Sequence, residues 1–308
     1  MSNDFVSKPR VLGVYNSIIN QEVLAKQSEF EGRVPNDDTF KDLKKEFKAL
    51  RKDYRALVEK GDKIKSAEHK KKQALEKKLN NKKYDNVKEL LEIKSDKKKM
   101  GGNIKYRLAA ITHVVLSDII DFAANATIES KKKQVTVNFL YGDNGEHLFS
   151  NCESYGLISG LDIINNPEPY FRVHNKRSKK SDDESDNSGS DSDSESDNSE
   201  EVVELCDRRF VTSIGKLCGL KKSEEAFASL SFGKAFKTFL SGVVYELLER
   251  FARMSIACHK LLTTKTIQSE MLDAVLESIE VYSGCEKSIS HRVSELNETV
   301  YVKPAKSK

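Results

Sequence analysis

The sequence predicts an all-α protein in which one helical plan occurs twice. Three observations carry this. Residues 104–129 read as a long helix with Ile104, Leu108, Ile111, Val115, Ile119, Phe122 and Ala126 on one stripe. Residues 232–261 read as a second, with Phe232, Phe236, Phe239, Val243, Leu247, Phe251 and Ser255 at the same kind of spacing. Each is followed by a loop and a scrap of strand, "QVTV" (134–137) and "TTKTI" (263–267). Trp is absent and Pro occurs five times in 308 residues, which argues against an all-β fold. At ~1.5 Å per residue the first long helix spans ~39 Å. A broad apolar stripe of that length cannot be buried alone. Two such units crossing head to tail bury both stripes, and each strand scrap then pairs with a loop of the other unit.

The remaining elements follow in order. Residues 1–38 are weakly patterned, with Val11, Val14, Tyr15, Ile18 and Ile19 able to face one side of a short helix. Phe40, Leu43, Phe47, Leu50, Tyr54, Leu57, Gly61 and Ile64 follow a 3-4-3-4 spacing with a weak point at Gly61. Residues 39–79 are therefore expected as one long charged helix, either docked on a nearby core or self-associating as a coiled coil. "YDNVKELLEI" (84–93) is a short helix with Val87, Leu90 and Leu91 inward, and "KSDKKKMGG" (94–102) a basic loop ending in glycines. After the first strand scrap a weaker helical stretch runs to about Leu161, broken around "YGDNGEH" (141–147). "SDDESDNSGSDSDSESDNSEE" (181–201) has no apolar residue and is expected to be disordered. "RRFVTSIGKLC" (208–218) is a short helix. "QSEMLDAVLESIEVY" (268–282) is a closing helix with Met271, Leu272, Val275, Leu276 and Ile279 apolar. The expected boundaries are 1–80 for an N-terminal extension, 81–164 for the first unit, 165–204 for a linker, 205–284 for the second unit and 285–308 for a basic tail.

Charge is unevenly spread. The net +4 conceals ten acids and no Lys or Arg within 181–201; without them 52 basic residues face 38 acidic ones, a net +14. Residues 41–105 hold 23 Lys and Arg against 11 Asp and Glu. A basic body with one acidic segment implies a polyanion partner such as nucleic acid. The start, "MSNDFVSKPR", lacks the apolar core of a secretory signal, and no run of ~18 apolar residues suggests a membrane span. The five cysteines show no paired spacing and read as reduced thiols of an intracellular protein, neither a disulfide frame nor a zinc site. The six histidines are isolated, and no phosphate loop, nucleophile elbow or metal-ligand spacing occurs. No enzyme, cofactor or metal is expected.

Two segments carry a family resemblance. "LLEIKSDKKKMGGNIKYRLAAITHVVLSDIIDFAANATIESKKKQVTV" resembles histone two-A: the pair Leu90–Leu91, sixteen residues, Leu108-Ala109-Ala110, then Asn125-Ala126 and Lys131-Lys132. "LLERFARMSIACHKLLTTKTIQSEMLDAVLESI" (247–279) is similar to histone two-B at Glu249-Arg250, Ala252, Thr266-Ile267 and Ala274-Val275. The resemblance covers about half of the chain, roughly 84–145 and 205–282. It implies a fused histone doublet, two histone-fold units forming an intramolecular handshake dimer, similar to those of large DNA viruses. Fusion would fix the ratio of the halves and raise their effective concentration.

The resemblance implies phosphate contacts at paired loops. The candidates are Lys97, Lys98 and Lys99, then Lys131, Lys132 and Lys133, with Lys221, Lys222, Lys234, Lys237 and Lys265 from the second unit. Lys97–Lys99 would lie beside Thr264 and Lys265, and Lys131–Lys133 beside the second unit's first loop. Each triplet also reads as an ordinary solvated loop. Lys99, Gln134 and Thr264 stand where the family has minor-groove arginines, and Asn86, Glu89 and Glu92 replace basic residues of its first helix. Asp118 and Asp121 match two carboxylates of the family's acidic surface patch, with His113 in place of a third; as bare sequence they are ordinary exposed helix acids. "HNKRSKK" (174–180) reads as a nuclear import signal or as more basic linker. Ser181, Ser190, Ser192 and Ser194 each have an acid three residues on, which suits an acid-directed kinase. Phosphorylation would strengthen the acidic tract as a competitor for the lysines.

The expected function is non-enzymatic, sequence-tolerant binding and compaction of double-stranded DNA, in viral chromatin or virion genome packaging, with oligomers forming on DNA and a second doublet or other histones as partners. The expected location is the nucleus, or a viral factory and virion, with no membrane partner. The alternative is a histone-fold interaction subunit of a transcription complex, or a histone chaperone using its acidic tract.

Overall fold

A computed structural model describes residues 5–61, 65–171, 210–261, 266–283 and 288–301. The protein is mostly helical. In chain order the helices and strands are α1 (Lys8–Ile19), α2 (Gln21–Arg33), α3 (Asp38–Glu59), α4 (Ser66–Leu79), α5 (Asp85–Ser95), β1 (Lys99–Met100), α6 (Ile104–Glu129), β2 (Gln134–Val135), α7 (Val211–Lys222), β3 (Ser231–Phe232), α8 (Lys234–Leu261), β4 (Thr266–Ile267), α9 (Ser269–Ser283) and α10 (Ser288–Thr299). Single helical turns at Tyr155–Ile158 and Asp162–Asn165 lie between β2 and α7. The chain divides into two compact units, residues 1–19 with 100–308, and residues 20–99.

The first unit is built on α6 and α8. No Gly or Pro interrupts α6, and 16 of its 26 residues are buried, so it is wrapped on most sides rather than along one stripe. It is long and apolar enough to cross a membrane by composition, but 72% of its most apolar window is buried inside the protein, as in the central helix of a globular core. The predicted stripe of α8 is buried from Phe232 to Ser255. Burying side chains the size of Phe236, Phe239, Val243, Leu247 and Phe251 is worth roughly 1.5–3 kcal/mol each, so this seam carries much of the unit's stability. The five apolar positions foreseen in α9 are buried as well.

The strand scraps pair reciprocally. β2 runs parallel to β3 with Gln134 opposite Ser231 and Val135 opposite Phe232. Ser231 N–H donates to Lys133 O (2.8 Å) and Gly233 N–H to Val135 O (3.0 Å). At the other end, the Met100 side of β1 neighbours β4, and Gly101 N–H donates to Ile267 O (2.8 Å). A Cβ at Gly233 would come within 3.2 Å of Val135 O, so the close approach of the two loops favours glycine there.

Two terminal segments depart from the expectation. The weakly patterned start forms α1, which buries Val11, Val14, Tyr15 and Ile19 and packs chiefly against α8 and α6. The expected basic tail at 285–308 contains a helix instead. In α10, Ile289 and Val293 are buried, the helix packs on α6, and Tyr301 beyond it is fully buried. Ile289, Val293, Leu296 and Val300 recur at helical spacing, and that stripe outweighs the basic composition of the segment. Glu280 of α9 is 2% exposed and accepts both N–H and hydroxyl of Ser290, which anchors the first turn of α10.

The second unit corrects two further readings. The expected continuous helix over 39–79 is two helices. Gly61 adopts φ +52°, a left-handed conformation that ends the first of them. α3 packs against α4 and α5, and Phe40 and Phe47 are buried with Phe30, Tyr84, Val87 and Leu90 in this unit's own core. The heptad positions thus serve a small intramolecular core, and Ile64 lies outside the described residues. α5 belongs with α2 and α3 in this unit, so the boundary falls after residue 99 rather than after 80. Leu91, expected inward, is 37% exposed.

Candidate nucleic-acid interface

The structure gathers one lysine cluster at the β2–β3 loop pair. Lys131, Lys132 and Lys133 follow α6 and are all exposed. Their backbone closes the helix in a Schellman arrangement: Lys132 N–H donates to Thr127 O (3.0 Å) and Lys131 N–H to Ile128 O (2.8 Å). Lys131 sits at φ +53°, the only left-handed non-glycine among the described residues. Glycine is the cheaper residue there, and such strain tends to collect at functional positions. The cations also lie at the C-terminal end of α6, where the helix dipole favours them.

Across the loop pair, α8 begins at Lys234. Lys234 is exposed and Lys237 half-buried, and the first turn of α8 carries no acid. Lysines at a helix N-terminus oppose the dipole. With the lysines of the facing loop they form a concentration of positive charge and free N–H groups suited to a bound anion such as phosphate. Among the described residues none of Lys131, Lys132, Lys133, Lys234 and Lys237 makes an ion pair.

The other candidates fall differently. Lys222 is exposed at the end of α7. Lys221 is spoken for: its ammonium lies 2.8 Å from Asp121 and 3.2 Å from Glu224. Burial works against its charge, but the two carboxylates outweigh burial and hold its pKa above the ordinary value. Lys97 and Lys99 are exposed in the second unit, where Asn20 fixes the loop by accepting Lys98 N–H (2.7 Å) and donating to Lys98 O (3.3 Å). Thr264, Lys265, Ser181, Ser190, Ser192, Ser194, the acidic tract and the 174–180 segment lie outside the described residues.

The two candidate acids of the patch, Asp118 and Asp121, are paired within the chain. Asp118 is clamped by Arg292 of α10, with contacts at 2.5 and 3.0 Å, and accepts Ser154 N–H (3.3 Å). Asp121 is held by Lys221, and burial raises its carboxyl pKa even so. Arg292 also reaches Glu153 at 3.0 Å. Asp118 and Asp121 thus each have a cationic partner within the chain, shared with Glu153 and Glu224 respectively. The third position, His113, is buried, with its pKa lowered by that burial to about 4, helped by the nearby charges of Lys221 and Arg292.

His147 Nδ1 contacts the Tyr155 hydroxyl at 2.5 Å, and burial, with Asp118 and Asp121 nearby, pushes the Cys152 thiol up to about 11. Cys152, Cys218 and Cys258 are free thiols, while Cys206 and Cys285 lie outside the described residues. Two side chains of α8 that sequence reasoning missed shape the unit nearby: Glu246 accepts Ile163 N–H (3.1 Å) and Arg250 donates to Leu157 O (2.9 Å), pinning the turns after β2. Comparison with known protein families, curated proteins and solved structures gives no match.

Proposed function

We propose that the protein binds double-stranded DNA without sequence preference, as a histone-fold pair fused in one chain, and compacts it in viral chromatin or a virion. The observation that carries this reading is the reciprocal pairing of the strand scraps. The strand after α6 lies against the strand before α8, and the strand before α6 neighbours the strand after α8. Head-to-tail crossing of two short-strand, long-helix units requires that pairing. It sets Lys131–Lys133 beside the start of α8, which concentrates cations at one edge. Lysines contact phosphate oxygens, which carry no sequence information, so an edge of lysines supports sequence-tolerant binding.

The second reading, a protein-interaction subunit, is favoured by Gln134, which stands in the β2 loop where the resemblance calls for an arginine. The two separate by salt dependence. Binding of the full chain to several unrelated duplexes across a salt series should give equal affinities whose logarithm falls linearly with log salt, with a slope of roughly 0.9 per phosphate neutralised. Unequal affinities, or a flat salt response, would move the reading to a protein partner.

A further inference from the structure

The second unit carries a cationic face that the loop lysines do not account for. Along α3, at 100° per residue, Lys41, Lys45, Lys48, Arg51, Lys52 and Arg55 fall within a sector of about 120° and span about 21 Å of helix. The helix also contains acids, but Asp38, Asp42, Glu46 and Asp53 fall in the neighbouring sector; only Glu59, in the last turn, lies among the cations. The third sector holds Phe40, Phe47 and Leu57, buried. α3 thus has an apolar, an acidic and a basic face.

A solvated helix usually mixes its charges, because opposite charges three or four residues apart stabilise it and like charges destabilise it. Here Lys48 and Lys52, and Arg51 and Arg55, are like-charged neighbours at four-residue spacing. Among the described residues, only the first two cations of the row pair with an acid: Lys41 with Asp38 (2.9 Å) and Lys45 with Asp42 (3.2 Å). Lys48, Arg51, Lys52 and Arg55 are exposed and make no ion pair among the described residues. The sector contains no aromatic or aliphatic residue, whereas protein-binding surfaces centre on such anchors. A straight row of cations matches instead an extended polyanion with regularly spaced charges, and duplex DNA offers a phosphate about every 3.4 Å along each strand.

We propose that the basic face of α3 is a second DNA-binding surface, contacting the phosphate backbone of duplex DNA independently of the loops around β2 and β3. The test uses the full chain and a random-sequence duplex over a salt series. The variant Lys48→Gln, Arg51→Gln, Lys52→Gln, Arg55→Gln removes the four unpaired cations. A control, Lys70→Gln, Lys77→Gln, Lys82→Gln, Lys94→Gln, removes equal charge from exposed positions elsewhere in the unit. All eight positions are on or near the surface, and unchanged thermal melting by circular dichroism certifies both folds.

Each phosphate contact contributes about 0.9 to the log–log salt slope. The α3 variant should therefore flatten the slope by up to about 3.6, and reduce the affinity lost between about 50 and about 200 mM salt by about 10²-fold. The control should change it much less. An unchanged α3 variant overturns the proposal, and so does an equal loss in both, which would mean diffuse attraction. The Lys131, Lys132, Lys133→Ala variant is measured beside them. If it binds like the parent while the α3 variant is weak, the loop reading falls and this one stands. If the parent chain binds no DNA, both fall.

Discussion

The hydroxyl of Tyr301 lies 3.1 Å from Nδ1 of His113, and the same oxygen accepts the Val6 N–H at 3.1 Å. One side chain beyond α10 thus ties the start of the chain to the middle of α6. The contact suits a neutral imidazole, whose Nδ1 either accepts the hydroxyl proton or donates to the same oxygen. Tyr301→Phe keeps the ring packing but leaves the Val6 N–H and His113 without this partner. Leaving buried polar groups unpaired costs about 1–3 kcal/mol. The variant should lose stability in that range by urea unfolding at neutral pH; an unchanged midpoint would mean that water replaces the hydroxyl.

The same histidine predicts a pH dependence. Burial lowers its pKa from the ordinary 6.5 to about 4. Between those values the unfolded chain binds a proton that the folded chain refuses, so stability rises with pH across the window. Read downward, it is intact above about 6.5 and lost as pH falls towards about 4, at up to about 1.4 kcal/mol per pH unit for one proton. His113→Gln removes the titration. Unfolding measured at pH 6.5 and 5 should show a smaller drop for the variant than for the parent; equal drops would assign the effect to other groups.

Lys131 separates stability from binding. Its left-handed backbone costs a lysine roughly 1–2 kcal/mol, a strain that glycine avoids while losing part of the gain to its own chain entropy. Lys131→Gly should melt no lower than the parent, yet bind duplex DNA roughly two- to five-fold more weakly near 0.1 M salt through loss of one phosphate contact. A lower melting temperature would contradict the strain argument, and undiminished binding would remove Lys131 from the interface.

Arg292 is expected to hold α10 in place. Its partner Asp118 has only 11% of its side chain exposed. Arg292→Ala leaves that carboxylate in a poorly solvated site and should cost about 1–3 kcal/mol. Asp118→Asn on the Arg292→Ala background should recover part of the loss. Hydrogen exchange along 288–299 is the readout, and full protection in Arg292→Ala would show that Ile289 and Val293 dock the helix unaided.

The two long helices were legible because each carries seven stripe positions, and the structure places α6 at the predicted residues and α8 within two residues of its predicted start. α1 and α10 were not assigned to the core because their apolar positions are few and sit among polar ones. Only packing on α6, joined by α8 for α1 and by α9 for α10, buries them. The break at Gly61 was visible as a weak point, but that α3 closes a core with α2 and α5 depends on contacts remote in sequence. At the site, Lys131–Lys133 stood out by charge alone. Asp118 looked open because its partner Arg292 is 174 residues away, and Asp121 looked open because Lys221 lies in another helix. Such pairings carry no local signal.

In the proposed function the loop pair around β2 and β3 grips DNA phosphates. The most direct measurement is the salt slope of duplex binding for the parent and for Lys131→Ala, Lys132→Ala, Lys133→Ala, both checked for equal thermal melting. A steep parent slope that falls by about 2–3 in the variant, with affinity lost alike on every sequence, is the predicted result. Equal slopes for the two proteins, or a parent that does not bind at about 0.1 M salt, would contradict it.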